Sequence, residues 1–273
     1  MIKNGLLKLK KDHRDYSFAR TFGAVVLQFP DEYSCDAGLT MPDQNLDGLP
    51  YGCTGYTQSE LCQDEDVVAY NPKYTYDKSR IMSGMADQNV GVDLRVALKS
   101  TIVYGLQHGT ESDQEALQHR RGQYYNVDKA PDYFDGIRAA LWTNRLERRA
   151  VSIGVPWFPE FERTLGPNGI LPIPSSGIAE ASWHNAKVSG FKLIQGIPYL
   201  CVKSWQGKQY GDNGWCYMSR ELCNQLFSIS GTGAFTLAKA TPDQIQTVKL
   251  TILETIVSYL RMIVNIMVKQ TMA

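Results

Sequence analysis

One cysteine and one histidine stand in sequence contexts that favour nucleophilic chemistry. Cys53 follows a loop rich in Gly, Pro, Asp and Asn, at the point where a helix is expected to begin. The partial positive charge of a helix N-terminus stabilises a thiolate, which is the reactive form of cysteine. His184 stands at the start of an expected strand in the second half of the chain. Such residues, brought together across a cleft, could form a nucleophile and its base.

Both residues also have a plainer interpretation, because a small buried cysteine and a structural histidine are common in protein interiors. The four histidines show no metal-ligand spacing and the chain has no Cys-x-x-Cys pair, so we expect neither a metal site nor a cofactor. The six cysteines are expected to remain thiols, because the chain is long and its basic N-terminus lacks the apolar run of a signal peptide. A cytoplasmic or virion-associated location is therefore favoured over secretion.

The elements that must position Cys53 and His184 divide the chain into a helix-rich first half and a strand-rich second half. Apolar spacing predicts helices from Cys53 through SELCQDED, over 91–106 with Leu94, Leu98 and Ile102 as a stripe, and over 132–149 with Phe134, Ile137, Leu141 and Leu146 facing inward. Alternating or β-branched composition predicts strands over 150–158, 184–194, 198–205 and 214–222. Residues 70–90 are expected to be irregular, and 110–130 to cross the surface.

This order of elements predicts an α+β protein with two lobes instead of alternating βαβ units. We expect an N-terminal lead segment over 1–37, a helical lobe with Cys53 over 38–130, and a β-rich lobe with His184 over 131–228. The 273 residues, 43% of them hydrophobic, are enough for a sizeable core. The 28 acidic and 28 basic residues balance, which argues against a nucleic-acid partner.

The C-terminal sequence predicts a long apolar helix over 241–270. Thr241-Pro242-Asp243-Gln244 is a strong helix start, and the polar residues after it recur every three or four positions on one stripe. This helix could pack on its own body, associate with copies of itself or a larger assembly, or enter a membrane. Association is favoured, because Glu254 and Arg261 would each cost about 2.5–3.5 kcal/mol near the centre of a membrane.

Several segments, in the right order and spacing over roughly residues 12–222, resemble the papain-like cysteine peptidases of the C1 family. The most specific is PYLCVKSWQGKQYGDNGWCYMSRE, which resembles the family's strand, Asn-Ser-Trp-Gly motif and last strand. HNAKVSGF is similar to the strand that carries the catalytic histidine, and PYGCTGYTQSEL to the nucleophile helix in divergent form. GVDLRVALKSTIVYGL resembles a further helix of the family, and IRAALWTNRLERRAVSIGVPWFPEF the helix and strand that open its second domain. KKDHRDY resembles the start of some mature members.

The resemblance implies a papain-like two-lobed fold, a peptide or protein substrate, and a role for each matching residue. Cys53 would be the nucleophile and His184 the base and acid. Trp205 would shield the histidine from water, while Gly91 and Trp183 would line the substrate cleft. The family's oxyanion-binding Gln lies six residues before the cysteine, where this chain has Asp47. Because Asp would repel an oxyanion, the role falls to Gln44, with the Cys53 backbone N–H.

The chain departs from the family at the Asn that orients the catalytic imidazole. Aligned without a gap, Ser204 occupies this position; aligned with a gap, the Asn is deleted and Ser204-Trp205 match the family's Ser-Trp. A serine hydroxyl would accept the ring N–H bond, at a cost of roughly 10–1000-fold in rate. Two functions follow from the resemblance. One is an active cysteine endopeptidase without a family-type inhibitory propeptide. The alternative is a weak or inactive papain-fold module that binds or supports a larger assembly, for example a virus or phage particle, through the C-terminal helix.

Overall fold

The structure is a computed structural model, and it describes residues 6–9, 12, 15–22, 28–129, 131–163 and 165–241. The α-helices of this part of the chain are α1 Phe18–Phe22, α2 Cys53–Asp66, α3 Pro72–Met82, α4 Leu94–Val103, α5 Asp113–Ala116, α6 Tyr133–Thr143, α7 Pro159–Arg163 and α8 Arg220–Ser228. The strands are β1 Leu6–Leu7, β2 Tyr33–Ser34, β3 Val92–Asp93, β4 Arg121–Asn126, β5 Val151–Trp157, β6 Ser182–Ile194, β7 Ile197–Lys203, β8 Trp215–Ser219 and β9 Gly233–Lys239.

A seven-stranded sheet forms the larger of the two described sheets and carries His184. Its strands follow the order β4-β9-β5-β6-β7-β8, all neighbouring pairs are antiparallel, and β2 pairs with β6 beside this path. The two-strand sheet joins β1 and β3 in parallel. The expected α+β architecture is therefore confirmed. The lobe boundary near residue 130 stays a prediction, since β4, which precedes it, lies in the larger sheet.

Helix α2 is the central element, and it is buried although its sequence is polar. Every residue from Cys53 to Asp64 is buried, including Gln58, Glu60 and Asp64. The helix lies against β5, β6 and two helices, α3 and α4. A helix that is buried on all sides without an apolar stripe must satisfy its polar side chains through hydrogen bonds and ion pairs to those neighbours.

Two of the helical expectations need correction. Residues 70–90 are not irregular throughout, because α3 begins at Pro72 with Asn71 as its cap, whose side chain accepts from the Lys73 and Tyr74 N–H groups. The helix expected over 132–149 ends at Thr143. Phe134, Ile137 and Leu141 face inward as predicted, but Leu146 lies beyond the helix and is 84% exposed. The predicted stripe of α4 is confirmed, with Leu94 and Leu98 in the core and Ile102 packed against it.

The strand expectations hold for β5, β6 and β7, and in part for β8. The segment 214–222 divides after β8, because the Ser219 side chain accepts from the Leu222 N–H and starts α8. Residues 110–130 contain β4, which pairs with β9, a strand that the local pattern did not reveal.

None of the six cysteines, all of which lie in the described part, forms a disulfide bond in this structure. Among the described residues no helix is long and apolar enough to cross a membrane, and no group of three or more metal-ligating side chains occurs. The helix expected over 241–270 lies, apart from Thr241, outside the described residues.

Candidate active site

Cys53 is the first residue of α2, as the sequence predicted. Gly52 is the N-cap residue, and no described side chain caps the first turn. The first N–H groups of a helix have no partner within the helix, so they present partial positive charge beside Cys53. Cys53 itself is completely buried.

His184 lies on β6, directly opposite Val155 of β5. Its ring packs against the indole of Trp157, with ring centroids 4.8 Å apart, and the ring of Phe161 also packs against Trp157, with centroids 5.1 Å apart. The imidazole is completely buried. Burial lowers the pKa of His184 to about 3, and the hydrogen bond to Ser204 offsets only part of this effect. The imidazole is therefore neutral at physiological pH in this structure.

Ser204 holds the imidazole, but through its backbone and not through its hydroxyl. His184 Nε2 lies 3.1 Å from the Ser204 carbonyl oxygen, and because a carbonyl only accepts, Nε2 carries the proton. The lone pair is then on Nδ1, which is buried and has no hydrogen-bond partner among the described residues. The expectation that the serine hydroxyl orients the ring is replaced by a main-chain contact.

The left-handed backbone of Trp205 presents this carbonyl. Trp205 has φ 61°, which is uncommon for a large side chain and persists only where other contacts fix it. The φ angle describes rotation about the N–Cα bond of Trp205, and it sets the orientation of the Ser204–Trp205 peptide plane relative to the Trp205 side chain. The indole Nε1 donates to the Asn185 carbonyl at 2.8 Å and to Thr57 Oγ1 at 3.0 Å. This part of the chain therefore contacts β6 at two consecutive residues: the Ser204 carbonyl binds the His184 ring, and the Trp205 indole binds the Asn185 carbonyl.

Thr57 connects the helix of Cys53 to the strand of His184. Its hydroxyl oxygen lies 2.8 Å from the Cys53 carbonyl and 3.0 Å from the Asn185 carbonyl, and it shares one proton between them. The first turn of α2 is thereby fixed beside the residue that follows His184. The two predicted catalytic side chains are not hydrogen-bonded to each other in this structure, because Nδ1 has no partner and Nε2 binds Ser204.

Gln44 lies against Trp205 and Asp47 does not. The Gln44 N–H donates to the Trp205 carbonyl at 3.0 Å, and its buried side chain donates to the Pro50 carbonyl at 3.3 Å. Asp47 instead accepts from the Tyr56 hydroxyl at 2.7 Å, and the Tyr56 ring stacks on Trp205 with centroids 6.0 Å apart. This placement is compatible with an oxyanion-binding role for Gln44, which stays a prediction.

Residues 6–9 lie over strands β5 and β9, next to the strand that carries His184. Gly154, which pairs with Asn185, and Gly233 on the next strand have no side chains, so they leave a trough in the sheet. A Cβ at Gly154 would lie 2.9 Å from Leu6 Cδ2, and one at Gly233 would lie 2.7 Å from Leu9 Cδ1. Both leucines are buried in this trough.

The two residues predicted to line the substrate cleft are next to this segment. Gly91 directly precedes Val92, whose strand β3 pairs with β1. Trp183 is half-buried and has Lys8 Nζ 5.9 Å from its ring centroid. In this structure the chain's own residues 6–9 therefore occupy the surface that Gly91 and Trp183 would offer to a substrate.

Sequence reasoning missed Thr57, Asn185 and Trp157. Thr57 lies one turn after Cys53 on the same helix face, so the helical period could have indicated it. Asn185 acts through its carbonyl, which no side-chain pattern reveals. Trp157 stands in the predicted strand 150–158, but its contact with His184 depends on the β5–β6 register.

Comparisons with known proteins support the fold. Xylellain, a cysteine protease from Xylella fastidiosa, superimposes with a TM-score of 0.67 at 13% identity, over 88% of this chain and 97% of that one. Procathepsin L 3 from the midgut of Tenebrio molitor larvae gives 0.58 at 13% identity, over 79% and 72%. Bromelain from Ananas comosus, in complex with the E64 inhibitor, gives 0.53 at 13% identity, over 78% and 100%. No protein-family model and no curated protein sequence matches the chain. The protein has the papain-like cysteine-protease fold.

Two substitutions of Thr57 distinguish the contribution of its hydroxyl group to stability from the contribution of its size. Thr57→Val removes the hydroxyl that bonds to the Cys53 and Asn185 carbonyls and accepts from the Trp205 N–H, which should lower the free energy of unfolding by about 1–3 kcal/mol. Thr57→Ser keeps the hydroxyl and should cost less. Urea denaturation of both variants measures the difference, and equal stabilities would contradict the role of the hydroxyl.

The imidazole of His184 should stay neutral well into the acidic range. Its folded pKa of about 3 lies below the value near 6.5 of an unfolded histidine, so the unfolded chain binds the proton more tightly. This contribution to stability is complete above pH 6.5 and is lost as the pH falls toward 3. NMR should show no titration of the His184 ring between pH 8 and 4.5, with assignment by His184→Asn. A midpoint near 6.5 would contradict burial of the ring.

Proposed function

We propose that this protein is a cysteine peptidase that cleaves peptide bonds with Cys53 and His184, and that the structure represents its closed resting state. The observation that carries this proposal is the arrangement of the imidazole. The Ser204 carbonyl fixes the Nε2–H tautomer, which leaves Nδ1 as the nitrogen that can accept a proton. The papain-like fold supports the same chemistry.

The reaction begins when the Cys53 thiol gives its proton to His184 Nδ1. The thiolate then attacks the carbonyl carbon of a peptide, and the resulting oxyanion accepts hydrogen bonds from the Cys53 N–H and the Gln44 side chain. Nδ1–H protonates the leaving amine, and the acyl group stays on sulfur as a thioester. Water, deprotonated by the same nitrogen, attacks the thioester, and the thiol is regenerated as the acid product leaves.

This chemistry requires the site to open. With Cys53 and His184 completely buried, the present conformation admits no substrate, and burial disfavours the imidazolium ion that the reaction forms. Removal of Leu6 and Leu9 from their trough would uncover the sheet beside Asn185 and admit water. Hydration of the ring would return the pKa of His184 toward its ordinary value of about 6.5.

One set of observations favours the second candidate function, a papain-fold module that binds or supports a larger assembly without catalysis. This function is compatible with a buried thiol and a neutral imidazole that, among the described residues, are not hydrogen-bonded to each other. In such a module the fold would serve binding or support and not catalysis. The C-terminal segment would be the attachment point. β9 leads into it at Lys239, which pairs with Asp66 at 2.7 Å, at the end of α2 that lies farthest from Cys53.

Alkylation of the thiols separates the two functions. In the peptidase, an epoxysuccinyl peptide or iodoacetamide at neutral pH should modify Cys53 at least tenfold faster than an ordinary thiol. His184→Ala should abolish that advantage, because the base that takes the thiol proton is lost. Rates and the modified residue are read by mass spectrometry of the intact chain and its peptides.

The matched control is Cys201, the one cysteine of the six that is not fully buried in this structure. Cys53→Ala should remove the fast modification and Cys201→Ala should leave it unchanged. Modification of Cys201 alone, or equal rates with and without His184, would support the module and reject the peptidase.

Displacing residues 6–9 should accelerate this modification. In Leu6→Asp/Leu9→Asp two carboxylates would have to enter an apolar trough, which is so unfavourable that the segment should leave it. We expect the Cys53 alkylation rate to rise at least tenfold. Leu7→Asp is the control in the same strand, because Leu7 is exposed, and it should not change the rate. A rate that is unaffected in the double variant, with folding verified by circular dichroism, would contradict the closed-state interpretation.

A further inference from the structure

Two lysines and three carboxylates are buried together between α2 and strands β6 and β7. Lys187 Nζ lies 2.8 Å from Asp64, 2.9 Å from Asp36 and 3.1 Å from Glu60. Lys203 Nζ lies 2.8 Å from Asp36 and 3.2 Å from Glu60. We refer to these five residues as the ion network. Both lysine side chains and that of Asp64 are inaccessible to solvent.

The ion network has one negative charge too many when all five groups are ionised. A buried charge without a counter-charge is strongly disfavoured, so the network is expected to bind a proton. Asp36 contacts both lysines, whereas Asp64 contacts only Lys187, which it shares with Asp36 and Glu60. Of the three carboxylates, Asp64 therefore has the fewest lysine partners and is the most deeply buried.

The pKa values agree with this assignment. Burial raises the pKa of Asp64 to about 6, and the attraction of Lys187 and the N–H of Ala37 offset only part of it. Burial also opposes ionisation of Asp36, but Lys187 and Lys203 together hold the pKa of that carboxyl below its usual value.

The other titratable or charged groups around Asp64 do not supply the missing positive charge. Arg148 donates to the backbone carbonyls of Cys35 and Asp36 and not to a carboxylate of the ion network. The Cys35 thiol and the Tyr33 phenol add no positive charge, and burial raises the pKa of both.

The ion network joins the two elements that carry the candidate site. Glu60 and Asp64 lie on α2, whose first residue is Cys53, and Lys187 lies three residues after His184 on β6. We propose that Asp64 is a proton-binding positioning residue: when protonated in mildly acidic solution it tightens α2 against β6, and when ionised near neutral pH it loosens that contact. Only the consequence for Cys53 and His184 rests on the proposed function.

The direction of the pH effect follows from the two states of Asp64. Its folded pKa of about 6 lies above the value near 3.9 of an unfolded aspartate, so the folded chain binds the proton more tightly. This stabilising contribution is complete below pH 4 and is lost as the pH rises through 6. Between pH 5 and 7.5 the unfolding equilibrium constant should rise about tenfold on account of this residue.

Asp64→Asn in the full chain removes this pH dependence. The amide oxygen can still accept from the Ala37 N–H, now 2.9 Å from Asp64 Oδ1, but the side chain no longer titrates and the remaining charges balance. The ratio of wild-type to variant unfolding constants, measured by urea denaturation, should rise about tenfold between pH 5 and 7.5. The ratio removes the pH dependence that comes from His184 and from every other titrating group that both proteins share.

Asp66→Asn is the matched control on the same helix. Burial opposes ionisation of Asp66, but Arg121 and its hydrogen-bond partners hold its pKa below the ordinary value. Its ratio to the wild type should therefore be constant over the same pH range. A constant ratio for Asp64→Asn as well would overturn the proposal.

Carboxyl NMR of the wild-type chain keeps the proposal testable if Asp64→Asn does not fold. With ¹³C-labelled aspartate, one carboxyl should titrate near pH 6, and no such titration would overturn the proposal. Cys53 alkylation gives the link to the site: the wild-type rate divided by the Asp64→Asn rate should rise with pH. If Cys53 proves unreactive in both, the proposed function fails, while denaturation and NMR still decide on the proton at Asp64.

Discussion

The hydrogen bonds that the Trp205 indole and the Thr57 hydroxyl make with the Asn185 carbonyl hold helix α2 against strand β6. They lie in a region closed to water, where an unpaired polar group is costly, so each of the three groups depends on the other two for hydrogen bonds. The left-handed backbone of Trp205 is tolerated because these contacts fix it. The same backbone presents the Ser204 carbonyl to His184. The geometry of the candidate site is therefore a consequence of one small set of buried polar contacts.

A polar helix at the centre of the protein imposes a second constraint. Helix α2 cannot be held by apolar packing alone, and its second half depends on the ion network with Lys187 and Lys203. Buried ion pairs give little net stability, but loss of one partner is severe, so they specify one arrangement strongly. The first half of α2 is thus held by hydrogen bonds and the second half by ion pairs, and both keep the helix in register with β6.

Burial has opposite consequences for the two titratable groups on this interface. It lowers the pKa of His184, which becomes protonated only at the expense of the folded state, and it raises the pKa of Asp64, which binds a proton more readily in the folded state. Mild acid therefore lowers the stability of the folded state through His184 and raises it through Asp64. Near neutral pH the neutral imidazole favours the closed state, whereas the Asp64 contribution to the α2–β6 contact has been lost.

Main-chain groups replace side chains at the point where the chain departs from the papain-like pattern. A carbonyl oxygen accepts a ring N–H as well as an amide side chain does, and it is held more firmly when the following residue is fixed. The missing Asn therefore does not by itself exclude catalysis. At 13% identity the fold is shared with known cysteine proteases, while the contacts that orient the histidine are this chain's own.

Local signals in the sequence were enough to predict part of the structure. A turn-rich loop before Cys53 indicated the start of α2, alternation indicated β5 to β7, and the order of motifs indicated the two-lobed fold. The folded structure was needed to show that Leu146 is exposed, that β4 pairs with β9, that a polar helix is buried, and that a carbonyl of Ser204 orients His184. These depend on residues far apart in the chain, whose hydrogen bonds and charges find partners only when the lobes pack together.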